Sequence, residues 1–492
     1  MSGLIGTILP LVILILGAFG VYLAARILRL SNRVEALLTA AIIGAAFTTL
    51  VSLGNNLNGK LPIFGVFESG GIQYQVDVAG NFIVAISYFI GILITLYSGE
   101  YLSRDPRYLL YYPLIMLTLA GLLGIFYTTD LFNLFLLVEL ISVTASALIA
   151  FRYHRETSVK AGFKYLIMSS LGTMIMLFGI YFTFQGADTT DISEISMKVN
   201  TFSRISAGCF LVGFSIKAGI TPFHTWVPEV YSGAPSAISA FLAGVISKSM
   251  LFIMSIICIN LGLETSELGF YLLILSFLNM FIGSIRALNQ KNIRSFLSFS
   301  SIAQTGYLMF ILGIGFYFEI ERAFAAALFL FLVIAITKCL AFLSAGIYEF
   351  FFDTGHIDDL QGVYKIMPRT AYFFSLALAG LAGIPLLAGF TGKWLVFTAA
   401  ISTGDPFAII GVVFFLINTI IGLGGYLPMV VKQFQSPGNE FEYSDYPQEL
   451  PKLSIWMSLP LGILSILVVG IGLLPSPWLN IVNRVVEWII WL

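Results

Sequence analysis

Five ionisable side chains stand inside long apolar runs. They are Glu139 in LFNLFLLVELISVTA, Lys217 in FSIKAGITPFHTWVPE, Lys248 in LAGVISKSMLFIMS, Lys338 in LFLVIAITKCLAFLSAG and Lys393 in GIPLLAGFTGKWLVF. A charge at the centre of a bilayer costs at least about 2.5–3.5 kcal/mol. Five such groups facing lipid would be ruinous, so they are expected to face protein or water inside a bundle. A single charge near a helix end reads as a snorkelling side chain. Four lysines and one glutamate cannot all pair off, and that argues against a purely structural set. Burial disfavours the charged form of either kind of group, which brings proton loading and release within reach of neutral pH. The chemistry these residues suggest is a proton relay through the middle of a membrane.

The elements that must position them follow from composition. Of 492 residues 58% are hydrophobic and 10% charged, whereas a soluble domain carries about 25% charged residues. At about 20 apolar residues per span, fourteen segments are expected: 4–28, 34–53, 78–98, 109–128, 130–151, 160–185, 203–231, 236–262, 269–288, 294–317, 320–348, 370–401, 406–431 and 454–474. The fold class is all-α, a polytopic membrane protein. The N-terminal run lacks a positive flank and a cleavage site, so it reads as a retained first helix. The final stretch, PWLNIVNRVVEWIIWL, is expected in the interface or over a neighbouring helix. The longest connections, 56–77, 186–202, 349–369 and 432–453, are too short for an extramembrane domain.

Two segments break themselves. The seventh carries Gly219 and Pro222 after Lys217; the twelfth carries Gly383, Pro385 and Gly389 before Lys393. Proline removes a backbone donor and glycine favours an irregular turn. Freed backbone at membrane depth is tolerated only under protein or water. Two broken segments five apart, each with a lysine, suggest two inverted five-helix repeats, segments 4–8 and 9–13. The divisions expected are 1–108 (helices 1–3), 109–262 and 263–432 (the repeats) and 433–492 (helix 14 and tail). Loops joining odd to even segments carry 16 Lys and Arg against 4 on the other side. The first set therefore reads as cytoplasmic and both termini as outside, in the cell membrane.

Other chemistry is thin. Net charge is −1 with no basic or acidic run, so nothing points to nucleic acid. Cys209, Cys258 and Cys339 lie in apolar segments without CxxC spacing and read as core residues. His154, His224 and His356 have no zinc spacing. No phosphate loop or dinucleotide fingerprint is present, so no cofactor and no metal are expected. His224, beside the first break, reads equally as an accessory proton carrier or as a loop histidine.

The stretch KAGITPFHTWVPEVYSGAPSAISAFLAGVISK, from Lys217 to Lys248, resembles the signature of the proton-pumping antiporter-like membrane subunits. These occur in respiratory complex I, in Mrp-type cation/proton antiporters and in membrane-bound hydrogenases. LNQKNIRSFLSFSSIAQTGYL and DDLQGVYKIMPRT resemble two further stretches of that family, and the likeness covers roughly residues 74–430. The resemblance implies roles by position. Glu139 would face a neighbouring subunit and pair with Lys217 of the broken seventh helix. Lys248 would bridge to Lys338 of the eleventh, and Lys393 of the broken twelfth would be the terminal site facing the exit. Three positions depart from the pattern. Ile334 stands where members carry a histidine, which puts the usual route around Lys338 in doubt; Asn292 replaces a loop aspartate; and DVAGN replaces an early motif around Asp77. A lysine at 393 resembles the L-type complex I subunit or the D-type Mrp subunit. With no long lateral helix after the fourteenth, the D-type is the nearer resemblance.

The expected function is proton translocation within a larger membrane complex, through Glu139, Lys217, Lys248, Lys338 and Lys393. The chain would carry no redox centre and so would not itself be an enzyme. Its partners would be other membrane subunits, one of them near Glu139, together with lipid and H+ with or without Na+. Two alternatives stand beside it. A stand-alone Na+/H+ antiporter is opposed by the finding of only one deep carboxylate; a non-transporting scaffold requires the lysines to be dispensable.

Overall fold

The computed structural model describes residues 2–55, 67–69, 72–103, 105, 108–196, 200–352, 355–435 and 453–487. Twenty α-helices run in chain order among these residues. The first six are α1 (Ser2–Leu28), α2 (Asn32–Asn55), α3 (Val78–Tyr101), α4 (Tyr111–Tyr127), α5 (Leu131–Ile149) and α6 (Glu156–Ala187). After the short α7 (Ile192–Ser196) come α8 (Thr201–Ala218), α9 (Val227–Gly233), α10 (Ser236–Phe241) and α11 (Ser247–Asn260). Next are α12 (Thr265–Leu288), α13 (Ile293–Phe318), α14 (Glu321–Phe352), α15 (Val363–Ile366), α16 (Pro368–Ala382) and α17 (Ala388–Ile401). The series closes with α18 (Pro406–Phe434), α19 (Ile455–Leu473) and α20 (Ser476–Val486).

Among the described residues thirteen spans are long and apolar enough to cross a membrane. The one remaining expected span, the twelfth (370–401), is split into α16 and α17, of 15 and 14 residues, each too short to cross alone. The expected boundaries hold to within a few residues because polar N-caps fix them. Asp77 accepts from Gly80 N at 2.6 Å to start α3, and Asp130 accepts from Asn133 N at 2.6 Å to start α5. Asn292, the departure at the loop aspartate, caps α13 by accepting from Arg294 N and Ser295 N. Such a cap contributes about 1 kcal/mol.

Two features escape an all-helix reading. A short antiparallel hairpin pairs β1 (Phe67–Ser69) with β2 (Ile72–Tyr74). A π-helical turn, Leu242–Ile246, joins α10 to α11 immediately before Lys248. Of the expected connections 56–77 and 432–453, residues 56–66, 70–71 and 436–452, with Lys60 and Lys452, lie outside the described residues, as do Arg104, Arg107 and Lys198 elsewhere. So do the last five residues of the tail. The described part of the tail is α20, which packs on α14 and α3 and so covers neighbouring helices.

The middle of the bundle is α14. Its membrane window is buried along its whole length. It touches α3 and α10 on one side and α13, α16 and α17 on the other. At one end Glu349 accepts from Arg155 Nη1 at 2.8 Å and from Arg294 Nη2 at 3.2 Å. That carboxylate ties the start of α6 to α13 through α14.

Both broken segments end their first half the same way. Gly219 closes α8 with φ 69° and Gly383 closes α16 with φ 85°. Both are left-handed C-caps that a side chain would strain. Gly389, expected at the second break, lies instead in the first turn of α17. A Cβ there would sit 1.7 Å from the Gly380 carbonyl oxygen of α16. It permits close packing of the two half-helices and is not itself a break. Gly389→Ala should therefore lower the thermal stability of the detergent-purified protein, by about 1–3 kcal/mol of overpacking. Gly462→Ala in α19, where no heavy atom lies within 4 Å, should leave the melting midpoint unchanged, and equal midpoints for the two variants would refute the assignment.

Candidate functional site

The five sequence-predicted groups come from five helices: Glu139 from α5, Lys217 from the last turn of α8, Lys248 from the first turn of α11, Lys338 from the middle of α14 and Lys393 from α17. Lys217, Lys248 and Lys338 are buried, and Lys393 and Glu139 are half-buried. Among the described residues no lysine of the set bonds to a carboxylate. Each ammonium is instead solvated by hydroxyl or carbonyl oxygen.

Lys217 donates to Ser142 Oγ at 2.5 Å and to Ser169 Oγ at 2.7 Å. Ser142 lies three residues beyond Glu139 on α5, on the same face. Among the described residues no hydrogen bond joins Lys217 to Glu139, and Glu139 Oε2 is buried without a hydrogen-bond partner. The two charges still lie close enough to act on one another. Beyond Lys217 the aromatic rings of Tyr165, Trp226 and Tyr231 stack edge to face, with centroids 5.3 and 6.1 Å apart. The Tyr231 hydroxyl adjoins Ser247.

Lys248 donates to Ser247 Oγ at 3.1 Å and to Ser301 Oγ at 2.6 Å. Lys338 donates to Leu297 O at 3.0 Å and to Ser300 Oγ at 2.5 Å. Ser300 and Ser301 are consecutive on α13. A helix turns about 100° per residue, so the pair serves two different helices, α14 and α11. The two ammonium groups are near enough to interact electrostatically.

Lys393 donates to Leu381 O at 3.0 Å and Ala382 O at 2.9 Å, the last carbonyls of α16. A cation at a helix C-terminus complements the macrodipole and satisfies carbonyls that have no helical partner. Its ammonium also lies 5.5 Å from the centroid of the Tyr307 ring.

The two breaks, expected to be equivalent, are therefore used differently. Lys217 precedes its break and points to serines. There Trp226 Nε1 covers the freed Ile216 carbonyl at 3.0 Å, and Thr221 donates twice to Asn279 Oδ1. Lys393 follows its break and folds back onto it. Pro222 opens the 3-10 turn Phe223–Trp226, and Pro385 is exposed within the 383–387 linker. His224 sits half-buried on that turn with Nδ1 unpartnered.

Sequence reasoning missed the oxygen partners Ser142, Ser169, Ser247, Ser300 and Ser301. The SFSSIAQ run inside a spanning segment was the available signal for the last two. It also missed Glu35, in the first turn of α2, which is fully buried with both carboxylate oxygens unpartnered.

Residues 128–422 match the family model described as NADH:quinone oxidoreductase/Mrp antiporter, transmembrane. The chain belongs to this family. It is 31% identical over 441 residues to the N-type subunit of a NADH-quinone oxidoreductase of Chloroflexus aggregans, covering 86% of this chain and 87% of that one. It is 28% identical over 336 residues to the D-type subunit of a Na+/H+ antiporter of Alkalihalophilus pseudofirmus, 67% of each chain. A chain in the solved Mrp complex from Dietzia sp. superposes with a TM-score of 0.84 at 19% identity, over 98% of this chain and 97% of that one. The likeness to this antiporter-like family is thus shared between an N-type and a D-type subunit.

The hydroxyl partners make a direct prediction. Ser142→Ala with Ser169→Ala leaves the Lys217 ammonium buried without either oxygen, at a cost of about 1–3 kcal/mol. Adding Lys217→Met removes the ammonium that needed solvating, so the triple variant should recover most of the lost melting temperature. A triple variant as unstable as the double would show that the serines serve packing rather than the lysine.

Proposed function

We propose that the chain is a proton-translocating subunit of a multi-subunit membrane complex, moving H+ along Glu139, Lys217, Lys248, Lys338 and Lys393. The observation that carries this reading is the row of four buried or half-buried lysines whose hydrogen-bond partners among the described residues are all neutral oxygens. An ammonium fixed by a carboxylate is a structural ion pair. One held by hydroxyls can give up its proton without leaving a counter-charge stranded. Neighbouring charge then couples the sites, since a proton taken up at one changes the affinity of the next. The family's other members, which include subunits of an NADH-quinone oxidoreductase and of a Na+/H+ antiporter, support placement among other membrane subunits. Glu139, half-buried on α5 with a free oxygen, suits a contact with one of those neighbours. The electron chemistry, where the parent complex has any, belongs to other chains, and this chain is a translocating subunit without a redox centre.

The proposed arrangement keeps the inverted repeats 109–262 and 263–432, supported by the matching glycine ends of α8 and α16. It also keeps the cell-membrane orientation, with both termini outside.

Two measurements test these readings. Lys217→Ala in the assembled complex, reconstituted in liposomes, should abolish proton flux read by a pH-sensitive dye while subunit recovery stays at the wild-type level. Wild-type flux in that variant would sink the relay. A cysteine at Asp358, in the connection between α14 and α16, should react with a membrane-impermeant maleimide only in inside-out vesicles. One at Asp188, after α6, should react only in right-side-out vesicles, and the reverse pattern would invert the topology.

A further inference from the structure

Ile334, one turn before Lys338 on α14, is buried hydrocarbon and offers Lys338 no titratable partner. The way out of Lys338 lies elsewhere. Lys338 Nζ can only donate, so Ser300 Oγ accepts from it at 2.5 Å. That leaves the Ser300 hydroxyl proton free to be donated, and the Ser300 hydroxyl is hydrogen-bonded to the Tyr426 hydroxyl of α18. The Tyr426 hydroxyl in turn adjoins Gln304.

Tyr426, Ser300 and Gln304 line a small enclosed cavity together with Lys393, Tyr307, Ser284 and Thr419. Its volume is ≈ 10 Å³, room for about one water molecule. Ser284 Oγ, Gln304 Oε1 and Thr419 Oγ1 are all buried and make no hydrogen bond of good geometry among the described residues, although Ser284 and Thr419 adjoin the Tyr307 hydroxyl as Gln304 adjoins that of Tyr426. All three belong to residues of this one cavity. Lys393 spends two of its three donors on the carbonyls of α16 and keeps a third. Buried polar groups are satisfied in native proteins, and a site with several convergent polar atoms is the kind that holds an ordered water.

We propose that the Ser300–Tyr426 hydroxyl pair is the conduit between Lys338 and Lys393, completed by a water bound in the cavity among Gln304, Ser284, Thr419 and Lys393. A proton leaving Lys338 bonds to Ser300 Oγ as the Ser300 proton passes to Tyr426 Oη. The Tyr426 proton then passes into the cavity and the water delivers one to neutral Lys393. One O–H bond forms for each that breaks, and a single positive charge moves. This rests on the relay reading and adds to it the route by which its last step runs.

The test is proton flux by the assembled complex in liposomes. Tyr426→Phe keeps the ring against Phe296, 5.3 Å away, and removes only the hydroxyl. It should lower flux roughly 100-fold, the lower end of what a positioned proton-transfer group contributes. Ser300→Ala should do the same, Ser300→Thr should restore flux because it retains a hydroxyl, and the Tyr426→Phe and Ser300→Ala double variant should be no worse than either single change. Wild-type flux in Tyr426→Phe while Lys393→Ala is dead would overturn the conduit and leave the relay standing. Wild-type flux in Lys393→Ala as well would be a failure of the relay itself. Loss of flux that Ser300→Thr does not restore would mark a packing role and overturn the conduit too.

Discussion

An ammonium group in a dry interior must be solvated by something, and the structure is organised around that requirement. Moving an ion of this size out of water costs several kcal/mol even after relaxation. A carboxylate partner would offset the cost but would also fix the charge. This chain uses hydroxyls for Lys217 and Lys248, a hydroxyl and a carbonyl for Lys338, and two carbonyls for Lys393. Each choice constrains the surrounding helices. Serine oxygens reach only about one side chain's length, so α5 and α6 must both close on α8. Likewise α13 must stand between α11 and α14. Carbonyls inside an intact helix are already bonded, so the solvation of Lys393 requires α16 to end where it does.

The helix breaks follow from the same constraint, and they show two solutions to it. In the first half, Trp226 and Asn279 cover the backbone groups that the Gly219 turn frees. Lys217 is thereby left to its serines. In the second half the freed carbonyls of α16 are covered by the lysine itself. Leu381 and Ala382 therefore depend on Lys393 for satisfaction as much as Lys393 depends on them. The close approach of Gly389 to Gly380 brings α17 near enough for that exchange. A bundle held this way needs its halves tied together, and α14 does so with apolar contacts along its length and the Glu349–arginine cluster at one end.

The spans were legible in the sequence because lipid leaves the backbone no alternative to helix, and twenty apolar residues are hard to conceal. The lysines were legible because a charge in such a run is rare. Their partners were not, because serine is common in membrane helices and most of its hydroxyls merely bond back to their own helix, as Ser87 does to Ile83. Nothing in LAGVI distinguishes a π turn from an α turn, although that turn sets the direction from which Lys248 meets Ser301. Glu35 reads as a charge close to a helix start; only packing against α3 and α4 buries it. The pairing of Glu139 with Lys217 was implied by the family resemblance alone. Ser142, on the same face of α5, stands in the position a direct pair would need.

Interaction at a distance suits the proposed function better than direct contact. At an effective dielectric of 20, two unit charges about 8 Å apart interact by about 2 kcal/mol, which is more than tenfold in a proton equilibrium. Lys248 and Lys338 are like charges within electrostatic reach, and Glu139 and Lys217 are opposite ones. A bonded ion pair would be too strong to switch. In the proposed relay such sites would alternate, each occupied site emptying the next, so that a change at the Glu139 end would reach Lys393 without any helix having to move.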